Sequence, residues 1–360
     1  MDPLTLLSGD AQVFVEKSWA SRVHVHHTDP AALVGLLSLD DVDQLVTSTA
    51  IRTPVVRMAK DGSVLPESAY TRHATVAGQQ LTGLVDSRKL LDLFSDGATI
   101  VLQGLHRYWQ PLGDLAAELE LVLGHPCQAN AYLTPRGSQG FALHSDSHDV
   151  FVFQTHGSKQ WEVHEDDIRH DVRLEPGVSM YLPTGTPHAA RAEDEVSLHV
   201  TLGINQLTWR SVLEPVVRRA MAAVADEHLP AGYLANPARL RDGLATQLSA
   251  LVRELDETDA STLAIAQVEA FLTGRNTRVR GGLADRVAVV EDQTTVHRRA
   301  GHPCVLVPIG DRLRVLLGDR ELDVPGRLEP ALARIRSRGT LRPADLADLL
   351  DESGRLVLCR

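Results

Sequence analysis

Between residues 98 and 204 the chain is a succession of short apolar runs cut by turn residues: TIVLQ, QANAYLT, DVFVFQ, KQWEVH, VSMYLP and VSLHVTLGI. Runs of this length, rich in β-branched and aromatic residues and bounded by Gly, Pro, Asp and Ser, read as strands. Their close spacing predicts a mainly β core, a sandwich or small barrel. From Thr208 the period changes. Trp209, Val212, Leu213, Val216 and Val217 recur on one helical face, Asn236-Pro237 offers a cap and a first-turn proline, and an Ala-rich helix is expected from about Ser261 to Gly274. Residues 302–360 return to strands, CVLVPI, LRVLL and ELDV, with short helical patterns after Arg327 and Pro343, which makes a small α+β module. The stretch GRNTRVRGG at 274–282 has linker composition. The expected organisation is a β-rich domain over 1–204, a helical segment over 205–275 and a terminal module over 276–360.

Composition narrows the function classes. With 360 residues, 43% of them hydrophobic, the chain can bury a core and is not a disordered tail. Its 36 basic against 47 acidic residues give a net charge of −11, which argues against bulk nucleic-acid or anionic-membrane binding and suits a basic partner. The acidity is uneven: residues 276–360 hold 15 Arg and 12 acids, the remainder 21 basic and 35 acidic residues. No uncharged apolar run approaches the roughly 18 residues of a membrane span. The opening MDPLTLLSGDAQVF lacks a basic stretch followed by an apolar one, so no secretory signal is visible. Cys127, Cys304 and Cys359 are too few and scattered for a disulfide framework or zinc cage. The expectation is a reduced, soluble, cytoplasmic protein.

Three His-x-Asp patterns begin at His27, His144 and His164. On a strand such a pair shares one face about 7 Å apart, which suits two ligands of one metal. Context selects His144 and Asp146, which follow the Gly-containing PRGSQGFAL and precede DVFVFQ, the turn THGS and KQWEVH. Lysine is scarce, occurring only at 17, 60, 89 and 159, and Lys159 shares its strand face with Trp161 and Val163. An inward ammonium calls for an anion, either a protein carboxylate or a ligand. A third metal ligand is expected from a later strand, with His188 in LPTGTPH first and His199 as the runner-up. Two imidazoles and a carboxylate form the facial triad of non-haem Fe(II) oxygenases, which leaves room to chelate a 2-oxo acid.

The run NAYLTPRGSQGFALHSDSHDVFVFQTHGSKQWEVH, with LPTGTPHAA and LHVTLGI after it, resembles the Jumonji-type cupin enzymes called ribosomal oxygenases, Fe(II)- and 2-oxoglutarate-dependent protein hydroxylases. FVEKSWASRVHVHH resembles their N-terminal element. The resemblance implies a double-stranded β-helix with an N-terminal cap, then dimerisation helices and a winged-helix-like module. It implies that His144, Asp146 and His188 bind iron and that Lys159 pairs with the distal carboxylate of 2-oxoglutarate. Asn130, Tyr132 and Thr201 match positions near that cosubstrate. It further implies a homodimer acting on an Arg or His of a protein, a basic ribosomal protein above all.

Other readings stay open beside it. The same fold can demethylate a methylated lysine or oxidise a small molecule or peptide natural product, and a non-catalytic metal-binding cupin could act as a regulator. His148, His156, His164 and His170 read as structural or solvent-facing, and the two His-Pro-Cys segments at Cys127 and Cys304 as packing. Arg275, Arg278, Arg280 and Arg286 lack the aromatic neighbours that stack on bases, so they read as a solvated linker, not an RNA site.

Overall fold

The structure is a computed structural model that describes residues 2–138, 142–166, 168–276, 278–299 and 301–359. The chain falls into two compact units, Met1–Gln206 and Leu207–Arg360.

The first unit holds thirteen strands among its described residues: β1 (His24–His27), β2 (Val56–Lys60), β3 (Ser63–Val64), β4 (Thr71–Val76), β5 (Gln79–Val85), β6 (Thr99–Leu102), β7 (Cys127–Thr134), β8 (Asp149–His156), β9 (Lys159–Glu165), β10 (Ile168–Leu174), β11 (Val178–Leu182), β12 (His188–Ala192) and β13 (Ser197–Ile204). A large sheet runs β1-β11-β8-β13-β7-β6-β2-β3, a small one β10-β9-β12, and β4 pairs with β5 alone. The expected mainly β core is present, and all six runs of the 98–204 region form strands. The segment expected as an N-terminal cap does more than cover the core, because β1 extends the large sheet at one edge and β2 and β3 extend it at the other. Strand β10 escaped the sequence reading, because IRHDVRL carries too few apolar residues to alternate visibly, whereas β12 begins at His188, where a later strand was expected.

Period-two alternation gives the large sheet two different faces. Phe151 and Phe153 of β8, Val200, Leu202 and Ile204 of β13, and Ala129 and Ala131 of β7 join a core with Leu4, Leu7, Phe14, Leu33, Leu112 and Leu119 from the helices packed outside. The intervening β8 residues, Val150 and Val152, point the other way and meet Trp161 and Val163 of β9 and Met180 and Leu182 of β11 in a second apolar cluster. This second layer joins the large sheet to the small one. The β8–β9 turn needs its glycine: Gly157 has φ +62°, and a Cβ there would lie 2.0 Å from the Val196 carbonyl oxygen. That tight turn returns the chain directly into Lys159.

In the second unit, helices Trp209–Ala220, Pro237–Asp256 and Ala260–Thr273 precede the antiparallel strands Cys304–Ile309, Arg312–Leu317 and Arg320–Pro325 and helix Glu329–Arg338. The expected boundary at 275/276 lies inside this unit. Helix Ala260–Thr273 packs on strand Arg312–Leu317, with Glu269 3.5 Å from Arg314 and the Arg275 amide donating to the Gly318 carbonyl.

Candidate metal centre

His144 and Asp146 lie just before β8, in extended backbone and not on a regular strand as the spacing argument assumed. What aligns them is a single antiparallel bridge. The His144 amide donates to the His188 carbonyl at 3.1 Å, and the His188 amide returns a bond to the His144 carbonyl at 2.7 Å. Directly opposed residues of an antiparallel pair project to the same side. The two imidazoles accordingly sit 4.5 Å apart between centroids, and Asp146 reaches to 3.9 Å from His144 Nε2 and 3.7 Å from His188 Nε2. One donor atom from each residue falls within 4.8 Å of the other two, and among the described residues this is the one such cluster of three.

The rings are oriented for ligation. His144 Nδ1 bonds to the Ala142 carbonyl and His188 Nδ1 to the Thr186 carbonyl, both at 2.9 Å, so each Nδ1 carries the proton and each Nε2 lone pair faces Asp146. Burial holds the His188 pKa below its ordinary value, with the neighbouring His144 ring acting in the same sense. A neutral imidazole is the form that binds metal. Two neutral nitrogens and one carboxylate on one side of a cavity fit a divalent first-row ion with open positions.

The turn that presents His188 is itself held. Asp149, 3% exposed at the start of β8, accepts from the Tyr181 hydroxyl at 2.5 Å, the Thr184 amide at 2.8 Å and the Thr184 hydroxyl at 2.7 Å. Tyr181 in turn accepts from the Ala20 amide, and the Gly185 amide donates to the Asp146 carbonyl. Burial and the Asp149 bond push the Tyr181 hydroxyl pKa upward, so it stays a donor. No motif marks Asp149 in the sequence; its position as first residue of an apolar strand is the one available sign.

The donors open onto a cavity of ≈ 250 Å³ between the two sheets. Lys159 lines it and is 2% exposed. Its ammonium donates to Thr134 Oγ1 at 3.0 Å and to His199 Nδ1 at 3.3 Å, and no carboxylate among the described residues pairs with it. Burial lowers its pKa to about 7. His199, weighed above as a ligand, instead stacks on Tyr132 with centroids 4.7 Å apart and receives the lysine; burial, with Lys159 and His188 adding to it, keeps it neutral. Tyr132 and Thr201 line the cavity. Asn130 does not: its amide oxygen accepts from the Gly104 amide at 2.9 Å, beside the cavity wall. Arg57, Thr99 and Trp161 complete the polar lining, and the Trp161 indole nitrogen is buried with no partner among the described residues. Arg57 and Thr99 carried no sequence signal, whereas Thr134 follows from Tyr132 by simple alternation.

Residues 109–212, which contain all three donors and Lys159, match the family model described as JmjC domain. The chain's relatives include a Branchiostoma floridae protein named bifunctional lysine-specific demethylase and histidyl-hydroxylase NO66, 37% identical over 152 residues, covering 40% of this chain and 25% of the relative. Human ribosomal oxygenase 1 is 28% identical over 244 residues, covering 60% of this chain and 36% of the relative. The chain thus spans between about a quarter and a third of these curated relatives' length. The solved structure of Escherichia coli ribosomal oxygenase YcfD shares the fold, with a TM-score of 0.53 at 17% identity over 98% of this chain and 95% of that one.

Two consequences can be measured. Asp149→Asn places an amide donor against the Thr184 and Tyr181 donors and releases the His188 turn, so Mn(II) affinity of the apoprotein falls about tenfold, while Thr184→Ser, which keeps the hydroxyl, retains it; unchanged Mn(II) binding in Asp149→Asn contradicts this account. The Lys159 pKa is depressed on folding, so the unfolded chain holds the extra proton and apoprotein stability rises with pH from about 7 toward 10 as the native lysine discharges. Lys159→Met removes that rise and raises the urea midpoint at pH 6; a slope equal to that of the unaltered protein contradicts the assignment.

Proposed function

We propose that this protein is an Fe(II)- and 2-oxoglutarate-dependent oxygenase that hydroxylates an Arg or His side chain of a basic protein, a ribosomal protein above all. One observation carries the reading: a His-Asp-His donor set and a buried ammonium that pairs with no carboxylate among the described residues share one small cavity. Each half lacks what a chelating keto diacid supplies. The relatives named ribosomal oxygenase, and an E. coli YcfD structure determined with cobalt and 2-oxoglutarate, support the same substrate class and cofactor pair.

His144, Asp146 and His188 would hold the iron, and Lys159 would bind the distal carboxylate of 2-oxoglutarate. When bound there, iron and 2-oxoglutarate would supply the oxidising power for hydroxylation by dioxygen, with succinate and carbon dioxide as coproducts. The chain supplies position. Lys159, kept in place by Thr134 and His199, fixes the length of molecule that can reach from the ammonium to the metal donors. Thr201 offers a hydroxyl and Trp161 an indole N–H along that path. Val150, Val152 and Ala190 close the cavity wall against water. Tyr132, stacked on His199, keeps that imidazole turned toward Lys159. Asn130 acts one step back, by holding the Gly104 turn.

The fold that accompanies this function is a double-stranded β-helix over 1–204, with helical dimerisation over 205–275 and a winged-helix-like module over 276–360. The helices support a dimer. Helix Pro237–Asp256 has no buried residue along its 20 positions, and it exposes Leu244, Leu248 and Val252; Trp209 is 85% and Leu234 86% exposed. A helix with no fully buried position has little of the tertiary packing from which helices draw most of their stability, and a second copy covers that surface. Among the described residues no helix is long and apolar enough to cross a membrane.

Incubating the protein with Fe(II), 2-oxoglutarate and purified ribosomes should add one oxygen atom to a ribosomal protein, read by mass spectrometry, with matching succinate release. His144→Ala or Asp146→Ala should abolish both, and Lys159→Ala should raise the 2-oxoglutarate requirement at least about tenfold with little effect on iron binding. Metal binding without substrate-coupled succinate would favour a regulatory cupin instead. Light scattering should give twice the chain mass at micromolar concentration, and Leu248→Glu with Val252→Glu should give a monomer; a monomeric unaltered protein removes the dimer from the proposal.

A further inference from the structure

The oxygenase reading leaves the one cavity-lining arginine, Arg57, without a task. Arg57 sits on β2 opposite Val101 of β6, which is opposite Tyr132 of β7, which is opposite His199 of β13, so all four share one row across the large sheet. The guanidinium lines the cavity, its Nε is sealed from solvent, and among the described residues that nitrogen has no hydrogen-bond partner. A guanidinium is always charged and offers donors only. A sealed donor without an acceptor is costly, so the wall at Arg57 is completed by an acceptor on something that enters.

Charge restricts what that can be. Asp146, a metal ligand, is the one carboxylate among the described lining residues, whereas Lys159 and Arg57 are both cations. The keto diacid answers Lys159. Burial, with Asp146 acting in the same sense and Arg57 in the opposite one, pushes the Tyr132 pKa up to about 12. Arg57 lines the same cavity as the metal donors.

We propose that Arg57 is a specificity-determining residue that fits the cavity to a neutral, hydrogen-bond-accepting target side chain, an imidazole, and turns away guanidinium and methylated ammonium groups. A cationic target brings a like charge into a water-poor space and has no lone pair for Arg57 to meet, whereas neutral imidazole has one. The inference rests on the oxygenase reading and narrows it: oxidation of His is favoured over oxidation of Arg and over demethylation of Lys.

The test uses the full chain loaded with Mn(II) and N-oxalylglycine, a 2-oxoglutarate mimic that is not decarboxylated. Three fluorescein-labelled basic peptides, identical except for a central His, Arg or Nε-trimethyl-lysine, are titrated at pH 8, where imidazole is uncharged. The unaltered protein should bind the His peptide about tenfold more tightly than either cationic one. Arg57→Gln should shrink that gap to about twofold and Arg57→Glu should reverse it. Equal binding of the three peptides by the unaltered protein, or a gap that survives both substitutions, overturns the inference. So does a loss of 2-oxoglutarate affinity in Arg57→Gln as large as that in Lys159→Ala, because Arg57 would then belong to the cosubstrate. Failure of the oxygenase reading registers separately, as unchanged 2-oxoglutarate affinity in Lys159→Ala.

Discussion

The pleat of the large sheet is the constraint on which the rest of this structure depends. Strands β7, β8 and β13 send alternate residues into a helix-covered core and the intervening ones toward the small sheet. One face is therefore free to be apolar throughout while the other holds Tyr132, Thr134, His199 and Thr201 among Val150 and Val152. A one-residue slip of β13 would exchange Thr201 for Val200 and remove the cavity's polar wall. The apolar face guards against that slip, because four large side chains of β13 would have to leave the core together.

The register is interrupted at one place, and it is beside the site. Between Leu198 and His199 the pairing of β13 with β8 shifts by one residue, so Leu198 faces His156 while His199 faces Gln154. A bulge of this kind re-aims a side chain without disturbing the strands on either side. Here His199 comes to lie over Tyr132 and beside Lys159. The metal donors depend on a second local device, the isolated His144–His188 bridge, reinforced by the Asp149 carboxylate under the Thr184 turn. Both devices use backbone pairing to fix side-chain direction, which leaves few rotamers to be ordered when a ligand arrives.

The distinction between what the sequence revealed and what it hid follows from the range of each interaction. His144, Asp146 and Lys159 were legible because they lie within 16 consecutive residues whose alternation and turns set their directions. His188 needed only a Pro- and Gly-rich turn before a strand. The assumption that His144 and Asp146 ride on a strand failed, since that strand begins at Asp149 and a bridge to a residue 44 positions away does the aligning. Arg57 and Thr99 enter from strands that precede the motif by tens of residues, and β2 carries no chemical signature. Asn130 matched by position, yet its amide oxygen is engaged by Gly104, a contact between segments that no local pattern encodes.

The two cations of the cavity differ in a way that suits their surroundings. Lys159 is almost wholly buried, and an ammonium there can lose its proton near neutral pH, so the cavity without a diacid carries little penalty. A guanidinium has no such escape. At position 159 it would remain charged in every state, and no described carboxylate pairs with that position. Arg57 stands at a half-buried place where water can still reach part of the group. The chain thus puts the cation that can be discharged where the whole side chain is buried, and the one that cannot where its Nε is sealed but the residue as a whole is only half-buried. Under the proposed function a diacid would recharge Lys159, so that affinity for the anion and uptake of a proton would be two sides of one event, while Arg57 would contribute a fixed positive field to whatever enters beside it.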